Sequence, residues 1–147
     1  MMTTLSPAID RKTRESFARQ ALMTTFGATI LDLAPGACTL AAPILPLARQ
    51  QHGVGHAGLT FALGDTAAGY AALTLMPEEA EVMTVEMKIN LLAPAAGDRL
   101  VAAGRVIRAG RRISAVTAEV FAETGGSRDL IAILQGTMVP VTARART

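Results

Sequence analysis

The chain has 147 residues, with 14 Lys and Arg against 12 Asp and Glu, and a net charge of +2. That length suits one domain with a buried core, while so small a charge and only 3% aromatic residues leave no footprint for nucleic acid. The single Cys38 excludes an intrachain disulfide and reads as a small core residue, and no Cys/His spacing matches a metal site.

The N-terminus shows no apolar signal segment, and its arginines are mixed with Asp10 and Glu15, unlike a transit peptide. The expectation is a cytoplasmic protein with no membrane and no nucleic-acid partner. Residues 1–26 read as one N-terminal helix: Ser6 as N-cap, Pro7 at the first helical position, and Gly27 as the stop. Residues 28–33 read as a strand, Pro35-Gly36 as a turn, and residues 37–41 as the returning strand. Residues 45–55 have no clear period and read as a loop.

Residues 56–75 form the stretch around which the rest is organised. They are apolar or small on every side of a helical wheel, with Asp65 as the only charge before Pro77. A helix apolar all round belongs inside a core or a membrane. A membrane span needs about 20 apolar residues, and this run is broken by Asp65, Gly58, Gly64 and Gly69. Two other readings stay open on local pattern alone. Residues 59–63 could be an alternating strand with Asp65 as N-cap of a shorter helix, or Asp65 could be a buried carboxylate bonded only to backbone. Against these stands a functional Asp65, since burial disfavours the charged form and perturbed carboxylates gather at functional sites.

After Pro77 the period becomes two. Residues 82–90 place Thr84, Glu86, Lys88 and Asn90 on one face, and Val85, Met87 and Ile89 on the other. Residues 100–108 form the next strand and Ala109-Gly110 a hairpin turn, with Arg111 and Arg112 opening a return strand that reaches Phe121. A turn at residues 124–127 precedes a last strand at 130–139, and residues 142–147 read as a frayed tail. Helices followed by meandering strands imply an α+β fold in a single domain over 1–147, a curved antiparallel sheet wrapped around the long apolar helix.

At this point the chain resembles the hotdog-fold acyl-CoA thioesterases of the PaaI type. The resemblance runs from about Gly27 to Val139. It is carried by Leu33-Ala34-Pro35-Gly36, His56-Ala57-Gly58 with Asp65 nine positions after the His, the run Thr84-Val85-Glu86-Met87-Lys88-Ile89-Asn90, Pro94, and Gly110-Arg111-Arg112. It implies hydrolysis of a coenzyme A thioester with no cofactor and no metal. Asp65 would be general base or nucleophile, and the Ala57 N–H at the helix start would polarise the thioester carbonyl. Gln50 would lie near that carbonyl or the water, and Thr84 would assist Asp65. His56, Gly58 and Asn90 fall among the residues expected to bind substrate. The family motif is His-Gly-Gly, and Ala57 here replaces the first Gly. The resemblance also implies a homodimer with shared active sites, assembled as a dimer of dimers.

The chemistry stands without the family, because helix N-terminal N–H groups can stabilise the negative charge that builds on an attacked thioester oxygen. Arg108, Arg111 and Arg112 could hold the phosphates of coenzyme A, or form a solvated hairpin. His52 reads as a solvated loop residue, and Glu86 with Lys88 as a surface pair. The alternative function is a hotdog module that binds acyl-CoA without hydrolysing it. Asp65 argues against that, since a pure binder has no need of a buried carboxylate.

Overall fold

The computed structural model describes residues 4–142. Two helices, α1 (Pro7–Ala18) and α2 (Ala21–Phe26), precede strands β1 (Thr29–Ala34) and β2 (Ala37–Pro43). A short 3-10 turn, Pro46–Ala48, leads to α3 (Ala57–Leu73), followed by β3 (Ala80–Leu91), β4 (Arg99–Ala109), β5 (Ser114–Thr124) and β6 (Ser127–Thr142). The strands form one antiparallel sheet in the order β1-β2-β4-β5-β6-β3, which leaves β3 on an edge. The sheet curves around α3, the hotdog arrangement that the sequence resemblance implies. No helix among the described residues is long and apolar enough to cross a membrane.

The lack of a polar face on α3 follows from this architecture. The helix packs on β2, β3, β4, β5 and β6, and Leu59, Leu63, Ala67, Ala68, Ala71, Ala72 and Leu73 are all buried. The small residues set how closely sheet and helix approach. One close approach is at Gly104 in β4, where an added Cβ would overlap the backbone of Ala67 and Ala68. Gly104→Ala should therefore destabilise, since β4 must lift off the helix. Overpacking of this kind costs about 1–3 kcal/mol, more than the roughly 0.4–1 kcal/mol a Gly→Ala change gains by restricting the unfolded chain. A thermal melt should show Tm lower by a few degrees, and an unchanged or raised Tm would contradict the packing.

Several sequence expectations need correction. The N-terminal segment is two helices rather than one. Ser6 caps α1, its Oγ accepting from the Ile9 N–H at 3.2 Å, and Gly27 closes α2 in the left-handed region at φ 68°. The chain breaks between them at Arg19 and Gln20, where Gln20 is extended (φ −80°, ψ 101°). No Gly or Pro marks this break. The change of direction lets Met23 enter the core while Thr13 and Phe17 face it from α1.

In β3 the two-residue alternation fails at Val85. Thr84 pairs with Met138 but Glu86 pairs with Thr137, so Val85 is the extra residue of a β-bulge. The bulge turns Thr84 toward the helix and leaves Val85 59% exposed, the reverse of the faces the pattern predicts. The β4–β5 turn spans residues 110–113, closed by the Gly110 N–H donating to the Ile113 carbonyl at 2.8 Å, so Arg111 and Arg112 lie in the turn and not in β5. Strand β6 runs on to Thr142, and of the expected frayed tail only residues 143–147 are left, outside the described residues. The strand reading of residues 59–63 fails, because all of them lie within α3.

Candidate active site

The start of α3 is held from the loop before it. The Arg49 guanidinium donates to the carbonyls of Gly53 (2.6 Å) and Ile44 (2.7 Å), and the His56 N–H donates to the Ala48 carbonyl at 2.8 Å. Bridges from Arg49 to Gly55 and from Gly55 to Ala95 complete the anchoring. His56 is the N-cap in an extended conformation, and its Nδ1 accepts the Gly58 N–H at 2.7 Å. Its carbonyl takes the Leu59 N–H at 3.0 Å and the Thr60 N–H at 3.4 Å.

One amide of this first turn is left over. The Ala57 N–H has no acceptor among the described residues, and it sits at the positive end of the helix dipole. That is what a carbonyl oxygen gaining negative charge needs. Gln50, His56 and Ala57 line one hollow of about 630 Å³ with Thr60, Leu92 and Pro94. The Gln50 side-chain carbonyl accepts from the His52 N–H. Gly58 spends its N–H on His56, and so has none to offer a ligand.

Asp65 lies in the middle of α3, so it is not a cap. Thr84 donates its hydroxyl to the Asp65 Oδ1 at 2.7 Å, reaching across because the Val85 bulge turns it inward. Burial pushes the Asp65 carboxyl above its ordinary range, and the Thr84 hydrogen bond only partly offsets this. Thr66, one residue on, lines the same hollow without bonding to Asp65. That hollow, of about 370 Å³, is bounded by Phe61, Thr84 and Met138, and farther along by Tyr70, Ser16, Gln20 and Glu81.

The two hollows share no lining residue. Within the chain Asp65 and Thr84 are brought together, and Gln50 and Ala57 share one hollow, but the two pairs are not brought together. Asn90 belongs to neither. It lies with Glu86, Lys88 and Gln135 in a groove of about 560 Å³ on the outer sheet surface, where Glu86 accepts from the Thr137 hydroxyl at 2.9 Å and forms no ion pair with Lys88. Arg108, Arg111 and Arg112 are exposed around the β4–β5 turn without an ion pair among the described residues.

Sequence reasoning missed the far wall of the Asp65 hollow. Tyr70, the only Tyr of the chain, was the signal available, a polar-tipped ring in a helix of small residues. Ser16 and Gln20 carried no local signal, since their place depends on how α1 docks. Among the described residues no three His, Cys, Asp or Glu side chains gather as metal ligands.

The family model of the thioesterase superfamily matches residues 52–128, from the loop before α3 into β6. The chain is similar to a thioesterase family protein from Silicibacter pomeroyi, at 41% identity over 92% of this chain and 99% of that one, with a TM-score of 0.89. It shares its fold with the E. coli PaaI protein from the phenylacetic acid degradation operon, at 21% identity over 94% and 96% of the two chains (TM-score 0.83). It also shares its fold with a thioesterase from Haemophilus influenzae, at 19% identity over 97% and 93% (TM-score 0.79). No curated protein matches the sequence.

Proposed function

This chain belongs to the thioesterase superfamily and is a thioester hydrolase, and from that premise we propose that it hydrolyses acyl-coenzyme A to the free acid and coenzyme A at a site shared by two copies of the chain. The observation that carries the reading is the pairing of a free helix-start amide, the Ala57 N–H, with a mid-helix carboxylate, Asp65, that burial holds above its usual range. The thioester carbonyl oxygen takes the Ala57 N–H, which opposes the charge that grows on it as the carbonyl carbon is attacked. Asp65 acts in its ionised form, as general base toward water or as nucleophile. As general base Asp65 takes a proton from the water whose oxygen bonds to the carbonyl carbon, and that proton passes to the thiolate as the C–S bond breaks. As nucleophile it displaces the thiolate to form a mixed anhydride, which water then hydrolyses to the free acid. Thr84 holds the carboxylate in place, and the Gln50 carboxamide, from the same hollow as Ala57, orients the carbonyl or the water.

The second copy is supported by the edge of the sheet. Strand β3 has one neighbour, β6, and carries Met83, Val85 and Leu91 at 56%, 59% and 55% exposed. A long edge with unpaired backbone groups is a template for pairing. Two β3 edges joined about a two-fold axis cover it and bring one copy's α3 toward the other's. We extend the assembly to a dimer of dimers, as the family resemblance implies.

The arginines of the β4–β5 turn are placed on the coenzyme A phosphates, which guanidinium groups match in geometry. Thiol release should be followed over a panel of acyl-CoA substrates and the matching acyl-pantetheines, with wild type and with Arg111→Ala and Arg112→Ala. Release from acyl-CoA supports the enzyme, and binding without release replaces it with a binding module. The arginine variants should raise KM by about tenfold for acyl-CoA, the worth of one charged hydrogen bond, with kcat and the pantetheine substrates little changed. Equal losses on both substrate types would return these arginines to hairpin surface.

A further inference from the structure

The hollow around Asp65 has a polar end that hydrolysis does not use. It extends along α3 from Asp65 to Tyr70, five residues or about 7.5 Å of helix rise. Around Asp65 and Thr84 its walls include Thr66 and the apolar Phe61 and Met138. At the other end the Tyr70 hydroxyl accepts from the Gln20 Nε2 at 2.9 Å and shares a hydrogen bond with the Ser16 Oγ at 3.1 Å. We propose that Tyr70, Ser16 and Gln20 select the acyl group, and that the substrate carries a compact, uncharged acyl chain ending in a hydroxyl.

A count of protons supports this. Tyr70 and Ser16 bring two hydroxyl protons, and the bond between them uses one. The other remains as a donor, and the Gln20 side-chain carbonyl has no partner among the described residues. Three residues that line the hollow therefore hold one O–H donor and one carbonyl acceptor not used among themselves, the complement of a ligand hydroxyl. Burial pushes the Tyr70 phenol up, so it stays protonated at neutral pH and keeps its proton for this use.

Charge and length narrow the choice. The two ionisable carboxyls of the hollow are Asp65 and Glu81, and no cationic side chain lines it; Lys12, which feels Glu81 from α1, donates its ammonium to the Pro77 carbonyl at 3.0 Å. A second carboxylate on the acyl chain would meet repulsion without a counter-ion. A longer alkyl chain would press methylenes on the spare hydroxyl proton and the Gln20 carbonyl and leave those two unpaired, the situation in which a hydrogen-bonding site rejects an apolar analogue.

The inference rests on the Asp65-centred reading above, and its test separates the two. The probes are 6-hydroxyhexanoyl-CoA, hexanoyl-CoA, and adipoyl-CoA, which has a carboxylate at the same end. With wild type, kcat/KM should favour the hydroxylated chain over the plain one by about tenfold or more, with adipoyl-CoA the poorest. In Tyr70→Phe and Ser16→Ala the preference should shrink toward one. A ratio taken within one variant does not depend on how much of that variant folds, so a merely structural role for the trio would leave it unmoved. Calorimetric binding of the first two probes to Asp65→Asn should show the same preference without turnover. No preference in wild type, or the same preference in both variants, overturns the proposal. Hydroxyl-selective binding without hydrolysis would instead sink the catalytic reading and leave the pocket standing.

Discussion

Asp65→Asn should lower thiol release by at least about a hundredfold while acyl-CoA still binds. The substitution keeps the shape and leaves an oxygen to accept from Thr84, but removes the group that takes the proton or attacks, a contribution typically worth about 10²–10⁴. The pH dependence follows from the direction of the shift. Burial raises the Asp65 carboxyl and Thr84 lowers it by less, so activity should fall on acidification through a value above the ordinary carboxylate range. Thr84→Val removes the lowering bond and should move that acid limb to still higher pH. The same shift has a sign for stability. A carboxyl raised on folding binds its proton more tightly in the folded state, so its ionisation destabilises the fold as pH rises through the folded value. Asp65→Asn should therefore melt higher than wild type at neutral pH and lose that advantage in acid. Near wild-type turnover in Asp65→Asn would remove Asp65 from the chemistry.

The chain shows why some of this was legible beforehand. An apolar helix with one central charge is a tertiary signal written locally, because only a sheet on most sides can bury it, and α3 has such a sheet. Caps were legible for a similar reason: Ser6, Pro7 and Gly27 act within a few residues of themselves. The misses around the site depend on distant partners. The Val85 bulge is invisible to a period-two reading because Thr84 is drawn inward by Asp65 on another element. The break at Gln20 has no breaker residue, and its cause is the docking of Met23 and Phe17 on the core. Ser16 and Gln20 reach the hollow only through Tyr70, 54 and 50 residues away. Asn90 sits beside Lys88 in the strand pattern and remains with it on the outer surface, away from Asp65. Residue types at a site can be read from spacing, but the pairing of distant side chains needs the fold.

Subunit exchange between two inactive variants should restore activity. Ala57 and Asp65 are eight residues apart on one helix, about 12 Å along its axis, and they line hollows with no residue in common. One thioester group cannot touch both within a single chain. If both act on it they come from two copies of α3, and each of the two equivalent sites then takes Gln50 and Ala57 from one chain and Asp65 from the other. Gln50→Ala and Asp65→Ala each damage every site of their own dimers. In a mixed dimer both defects fall into one site and the other is intact. With free exchange of equal amounts half the dimers are mixed, so roughly a quarter of all sites should recover. Parents at background and a mixture near a quarter of wild type would be a gain of many fold from two dead proteins, readable by thiol release. A site built within one chain predicts no gain, because every chain in the mixture carries a defect. Background activity after mass spectrometry has verified the mixed dimer would therefore assign Gln50 and Asp65 to the same chain's site and undo the shared arrangement.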